Sequence, residues 1–184
     1  SYFEAFPSLK KYFEDEKKKG LSLGYIEFNP ILKTKAFIEN YQLYLDLKKE
    51  LNEEFWNRWK VVKKEMIEGN YLGEYQEMKE KISLFFKIKG AIERKSLNFP
   101  IQGTSASITK ISCIYFFRWI KKRGYLNIVK MCNIIHDENI VECPESIAET
   151  VKTALEDCMV RAGAIFCKRV PLKVDAKICK YWKK

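Results

Sequence analysis

Two apolar runs separated by three polar residues constrain this chain more than anything else in it. Residues 127–135 are rich in Val, Ile and Met, residues 139–143 carry Ile140, Val141 and Cys143, and only His136-Asp137-Glu138 lies between them. β-prone runs joined by so few residues meet as an antiparallel hairpin. The three polar groups then sit at its exposed tip, and such tips often carry function. Neighbouring acids there suit a hard cation, because Mg²⁺ takes oxygen ligands and keeps several waters, so one or two carboxylates suffice. In two-metal phosphoryl transfer one ion acidifies the attacking hydroxyl and the other stabilises the leaving oxygen. Taken alone, the same tripeptide also reads as a solvated polar turn.

The remaining elements follow from periodicity and breakers. Residues 6–19 predict a helix after Pro7, with Leu9, Tyr12 and Phe13 on one side, ended by Gly20 and Gly24. An extended piece, 25–28, runs into Asn29-Pro30 as a turn. Residues 35–68 hold no Pro or Gly and place Tyr41, Tyr44, Leu45, Phe55, Trp56, Trp59, Val62 and Met66 at helical spacing. This predicts one long or two consecutive helices, stopped at Gly69-Asn70, and a helical hairpin with 71–89. The lysines of this stretch read first as a solvated helix face.

Residues 91–98 predict a further turn or two of helix. Asn98-Phe99-Pro100 should interrupt it, since Pro disfavours a helical conformation in the residue before it. Thr104 or Ser105 is then available to cap a new helix carrying Ile108, Ile111, Tyr115 and Trp119, with its end near Gly124. After Pro144, residues 145–164 predict an amphipathic helix. Leu172, Val174, Ala176 and Ile178 alternate with Lys173, Asp175 and Lys177, the pattern of a half-buried strand. The order helix, hairpin, helix, strand predicts an α+β fold with helices on one face of an antiparallel sheet.

Composition narrows the function classes. The chain has 184 residues, is 47% hydrophobic and is rich in aromatics, so it can bury a core. Lys and Arg total 34 against 24 Asp and Glu, a net charge of +10 that favours a polyanionic partner. No apolar run approaches the ~20 residues of a membrane helix. Six cysteines without a CxxC, beside one His, lack zinc-site spacing and read as reduced thiols of an intracellular protein. Lys, Asn and Ile usage hints at an AT-rich genome such as a phage's, which would place the chain in a host cytoplasm.

Three stretches resemble one family when taken in order: NFPIQGTSA at 98–106, IIHDENIVECP at 134–144 and VPLKVDAKICKYW at 170–182. Together with YFEAFPSLKKYFEDEKKKG at the start, they resemble the C-terminal part of the family A DNA polymerases, covering both ends of the chain and its second half. The resemblance implies an antiparallel palm sheet with the catalytic hairpin, packed by helices, plus a helical insertion. It divides the chain into a distal fingers segment at 1–34, an insertion at 35–90 and a palm part at 91–184.

The resemblance also implies roles by position. Asp137 would be the metal-binding aspartate of motif C, with Glu138 beside it near the metals and primer end, and His136 at the primer terminus. Arg94, Asn98 and Gln102 would line the minor groove of the new base pair, where donors read acceptors common to all correct pairs. Lys110 would meet a backbone phosphate. The structural alternatives are an ion pair of Arg94 with Glu93, loop satisfaction by Asn98 and Gln102, a solvated His136 and an exposed helix lysine at 110. Implied partners are primer-template DNA, dNTP and two Mg²⁺ ions, with no membrane.

The chain departs from the pattern in several places. Neither the first catalytic aspartate of motif A nor the fingers helix that holds the triphosphate is found in it. The resemblance therefore implies a second polypeptide, or an upstream region, supplying both. Where the family shows Thr and a Gly-Arg-Arg cluster, residues 26–35 read IEFNPILKTK, and Cys179 replaces the usual Gly. Two other readings stay open: a non-catalytic DNA-binding or replisome assembly module, and a relative of single-subunit RNA polymerases, which usually carry His-Asp-Ser.

Overall fold

A computed structural model of the chain describes residues 2–29, 31–69 and 73–182. The elements run α1 (Tyr2–Ala5), α2 (Pro7–Leu23), β1 (Tyr25–Phe28), β2 (Thr34–Phe37), α3 (Tyr41–Glu50), α4 (Glu53–Ile67), α5 (Gly73–Lys122), β3 (Lys130–Ile135), β4 (Glu138–Glu142) and α6 (Ala148–Phe166). The fold is α+β, mostly helical, with two small antiparallel sheets, β1-β2 and β3-β4. It divides into two compact units, residues 1–28 with 33–100, and residues 29–32 with 101–184.

In the first unit, Ile26, Ile38, Tyr44, Leu47, Ile88 and Ile92 form the core, with Tyr41 and Phe85 against it. The Tyr44 and Phe85 rings stack at 5.5 Å between centroids. The start of the stretch 35–68 is not helical as expected, since residues 35–37 pair with β1 as β2; the rest resolves into the two consecutive helices α3 and α4, and Asn52 caps the second by accepting from the Phe55 N–H at 2.9 Å. Ion pairs then tie the helices together: Lys81 to Glu50 at 2.7 Å and Arg58 to Glu74 at 2.6 Å. The expected turn residue Pro30 and the expected stop and start at Asn70 and Tyr71 lie outside the described residues.

Three further expectations fail for physical reasons. Gly20 does not end α2, which runs on to Leu23 and stops at Gly24, φ 71°. Gly20 is buried instead, and a Cβ there would collide with Ser96 Oγ, so close helix approach is its use. Pro100 does not interrupt the helix either: α5 continues through it for 50 residues. A Pro inside a helix forfeits one i−4 hydrogen bond but more often bends than ends it. Ile92 and Ser96 before it and Ser107 and Ile108 after it are buried, each in its own unit. Thr104 and Ser105 are consequently interior residues of α5, not caps, and Thr109 Oγ1 donates back to the Ser105 carbonyl at 3.2 Å.

In the second unit, every fourth residue of α5 from 108 is buried: Ile108, Ser112, Phe116 and Ile120. Phe116 and Ile120 pack with Val129, Val151, Leu155 and Cys158, and Met131, Val141 and Cys143 of the hairpin close over them. The final strand does not form. Residues 170–182 lie outside any ladder, although Leu172, Val174 and Ala176 are half-buried and Lys173, Asp175 and Lys177 exposed. The alternation is that of an extended chain, but a strand needs a paired neighbour, and among the described residues there is none. Ala176 N–H instead donates to Glu156 Oε1 of α6 at 2.9 Å.

Candidate active site

Strands β3 and β4 pair through Met131↔Val141, Ile134↔Asn139 and Ile135↔Glu138. A register shift between Met131 and Asn133 makes Cys132 an extra residue on β3. The bulge has a consequence for side-chain direction. Asn139 and Val141 are two apart on β4 and share a face, and their partners Ile134 and Met131 are three apart on β3. In a regular strand residues three apart point to opposite faces, and the bulge is what lets Ile134 and Met131 oppose residues of one face.

The turn itself is two residues, His136-Asp137, with Glu138 already in β4. Two-residue hairpin turns that match strand twist need positive φ at their first central residue, and His136 has φ 54°. Histidine tolerates that region better than most non-glycine residues. His136, Asp137 and Glu138 are all exposed, and their side chains form no hydrogen bond or ion pair among the described residues. Two carboxylates in consecutive positions are thus open to a ligand, inside a unit whose residues 101–184 carry 15 Lys and Arg against 8 Asp and Glu.

Could these residues hold a metal? Oxygen donors at an open tip suit Mg²⁺ chemically. Yet no group of three or more His, Cys, Asp or Glu comes together among the described residues. The tip thus offers two neighbouring carboxylates, Asp137 and Glu138, and among the described residues not a complete cage.

What holds the tip is a set of polar contacts that periodicity does not announce. Asn139, next to Glu138, donates through Nδ2 to Ser112 Oγ at 3.2 Å and accepts at Oδ1 from Cys113 Sγ, also 3.2 Å away. Ser112 is fully buried and donates to the Thr109 carbonyl at 2.7 Å. Burial pushes the Cys113 thiol above its ordinary range, keeping it protonated as a donor. One sequence signal could have pointed here: Ser112 is the single polar side chain in the buried row 108, 112, 116, 120. A buried hydroxyl needs a partner.

The four other candidates lie on α5 and are exposed. Gln102 and Lys110 belong to the unit of the hairpin, Arg94 and Asn98 to the first unit. Arg94 does not pair with Glu93, whose carboxylate lies 4.0 Å from Lys89 Nζ; the Arg94 guanidinium reaches back over Gly90. None of the four side chains forms a hydrogen bond or an ion pair among the described residues, so their polar groups are open to a ligand.

Comparison with known proteins finds consistent relatives. The family model described as DNA polymerase family A matches residues 1–184. DNA polymerase I of Aquifex aeolicus is 33% identical over 150 residues, 78% of this chain and 25% of its own length. The thermostable DNA polymerase I of Thermus filiformis is 23% identical over 181 residues, 98% of this chain and 16% of its own length. Among solved structures, the POL domain of Pol1 from M. smegmatis, in complex with DNA primer-template and dNTP, superposes with a TM-score of 0.55. That likeness covers 88% of this chain and 21% of the other at 21% identity, and it speaks for the fold. The chain thus spans a quarter or less of the length of these relatives.

Proposed function

Because the chain belongs to DNA polymerase family A, we propose that it is the C-terminal part of a template-directed DNA polymerase that adds dNTPs to a primer 3′ end. The observation that carries this reading is the exposed His136-Asp137-Glu138 turn, held by Asn139 against α5, in a chain matched to the family along its whole length.

In this reading Asp137 supplies one carboxylate to the Mg²⁺ site, Glu138 adds negative charge beside it and His136 contacts the primer terminus. When bound there, Mg²⁺ would supply Lewis acidity to the phosphoryl transfer. The primer 3′ oxygen forms a bond to the α-phosphorus of the dNTP as the bond to pyrophosphate breaks, and the hydroxyl proton passes to solvent. Arg94, Asn98 and Gln102 offer donors to the minor groove, and Lys110 a cation to a phosphate. Residues 1–34 serve as a distal fingers segment, 35–90 as a helical insertion and 91–184 as the palm part. The first catalytic aspartate and the fingers helix come from outside these 184 residues, on an upstream region or a second polypeptide.

The test is complementation. Supplied with a polypeptide carrying the family's motif A aspartate and fingers helix, the chain should extend a primer in Mg²⁺. Asp137→Ala should slow extension by at least about a hundredfold, the scale set by losing a major electrostatic group of the transition state. Undiminished extension by Asp137→Ala overturns the assignment. The alternative is a non-catalytic DNA-binding module, which draws on the basic excess of residues 101–184. It expects salt-sensitive duplex binding and no extension with any complementing chain.

A further inference from the structure

Charge in this chain is unevenly placed. Residues 168–184 carry seven Lys and Arg against one Asp, a net +6 out of the chain's +10. In the described part of that segment Lys168, Arg169, Lys173, Lys177 and Lys180 are all exposed. They do not belong to the hairpin tip or to α5, and nothing in the polymerase reading uses them.

The segment has a fixed inside and outside. Leu172 sits against α6 so closely that a Cβ on Gly163 would lie 2.7 Å from Leu172 Cβ. Four residues on, the Ala176 N–H is held by Glu156 Oε1 at 2.9 Å. Two anchors on one side turn the intervening odd-numbered side chains outward, and the outward row is charged at 173, 175 and 177. Its one acid, Asp175, lies 4.0 Å from Lys177 Nζ, both side chains being about four-fifths exposed. Such an open pair holds little against a competing anion. Lys173 and Arg169 have no ion pair among the described residues. Further along the chain Trp182 leaves 54% of its surface in solvent.

Exposed cations along an extended segment, with an exposed aromatic face further along the chain, are the two parts of a single-strand binding track: charge for the backbone and a stacking platform for a base. We propose that residues 168–182 form a docking track for single-stranded DNA, with Lys173 and Lys177 on phosphates and Trp182 stacking on a base. The proposal shares its ligand class with the polymerase reading but needs no metal, nucleotide or primer end. A failed extension assay leaves it standing, and its own failure leaves that reading standing.

The experiment is fluorescence anisotropy of labelled oligo(dT) against the chain, without divalent cations, across a salt series. Lys173→Gln with Lys177→Gln should weaken binding about tenfold and make the log–log salt slope about 1.4 shallower, two contacts at about 0.7 each for a single strand. Asp175→Asn should tighten binding about two- to fivefold, a direction that misfolding does not mimic. Trp182→Ala should weaken oligo(dT) about five- to hundredfold and a blunt duplex far less. An unchanged affinity and slope in the double lysine variant overturns the proposal, as does an Asp175→Asn chain that binds no tighter. Equal losses for single strand and duplex in Trp182→Ala overturn the single-strand assignment. Binding to phosphatidylserine vesicles with none to oligo(dT) also overturns it.

Discussion

Asn139 on β4 reaches α5 and donates through Nδ2 to the buried Ser112 hydroxyl at 3.2 Å, one residue from the acidic tip of the hairpin. Its other amide atom accepts from Cys113 Sγ. A polar clasp of this kind fixes the strand in register and in direction, because each partner offers one geometry. It therefore bears on where Asp137 and Glu138 point as well as on stability.

Asn139→Ala should remove both contacts and leave the buried Ser112 hydroxyl with its bond to the Thr109 carbonyl alone. The expected cost is about 1–3 kcal/mol in urea unfolding. Amide exchange at Glu138 and Ile140 should rise more than at Val129, which belongs to the apolar core. Equal rises at all three would mean that the clasp stabilises the unit without positioning its tip.

Gly20 and Ser96 meet across two helices of the first unit. Gly20→Ala places a Cβ into Ser96 Oγ, and 3.2 Å from Ile26 Cδ1, so overpacking of about 1–3 kcal/mol is expected. Ser96→Ala removes the Oγ and with it only a bond to the Ile92 carbonyl. Combining the two changes should recover part of the loss, a coupling readable in a double-mutant cycle. Strict additivity would show that the two helices separate instead of clashing.

Arg58 holds both carboxylate oxygens of Glu74, at 2.8 and 2.6 Å. These hydrogen bonds, more than charge alone, keep the Glu74 carboxyl below its ordinary range. A depressed folded-state value stabilises above the unfolded value and is lost as pH falls through the folded one. Arg58→Gln should return Glu74 to the ordinary carboxylate range in an NMR titration of its carboxyl carbon. The gap in melting temperature between the two proteins should close on acidification below about pH 4. Both groups are exposed, so the gap itself should be small. Identical titration of Glu74 in the two proteins would mean that the bridge does not form in solution.

Much of this architecture was legible in the order of residues. The hairpin followed from two apolar runs and a short polar link. The helices of 41–67 followed from periodicity, and the end of α5 from Gly124, which has φ 74°. These signals are local: the 3.6 and 2.0 repeats and the turn residues act through neighbours in the chain. The tip residues His136, Asp137 and Glu138 were visible for the same reason, since a turn exposes whatever it contains.

Tertiary structure decided the rest. Pro100 and Gly20 are local signals to stop a helix, yet α5 runs on through Pro100, and Gly20 serves the close approach to Ser96 that no window of sequence displays. Residues 172–178 carry the alternation of a strand, but a ladder requires a neighbour, and the segment lies on α6 instead. The Asn139–Ser112 bond joins residues 27 apart, and the bulge at Cys132 keeps the faces of the hairpin consistent. Sequence alone thus determined that a hairpin with an acidic tip exists. Contacts between distant residues determined how that tip is held, because a hydrogen-bond partner or a packing neighbour is chosen by the fold as a whole.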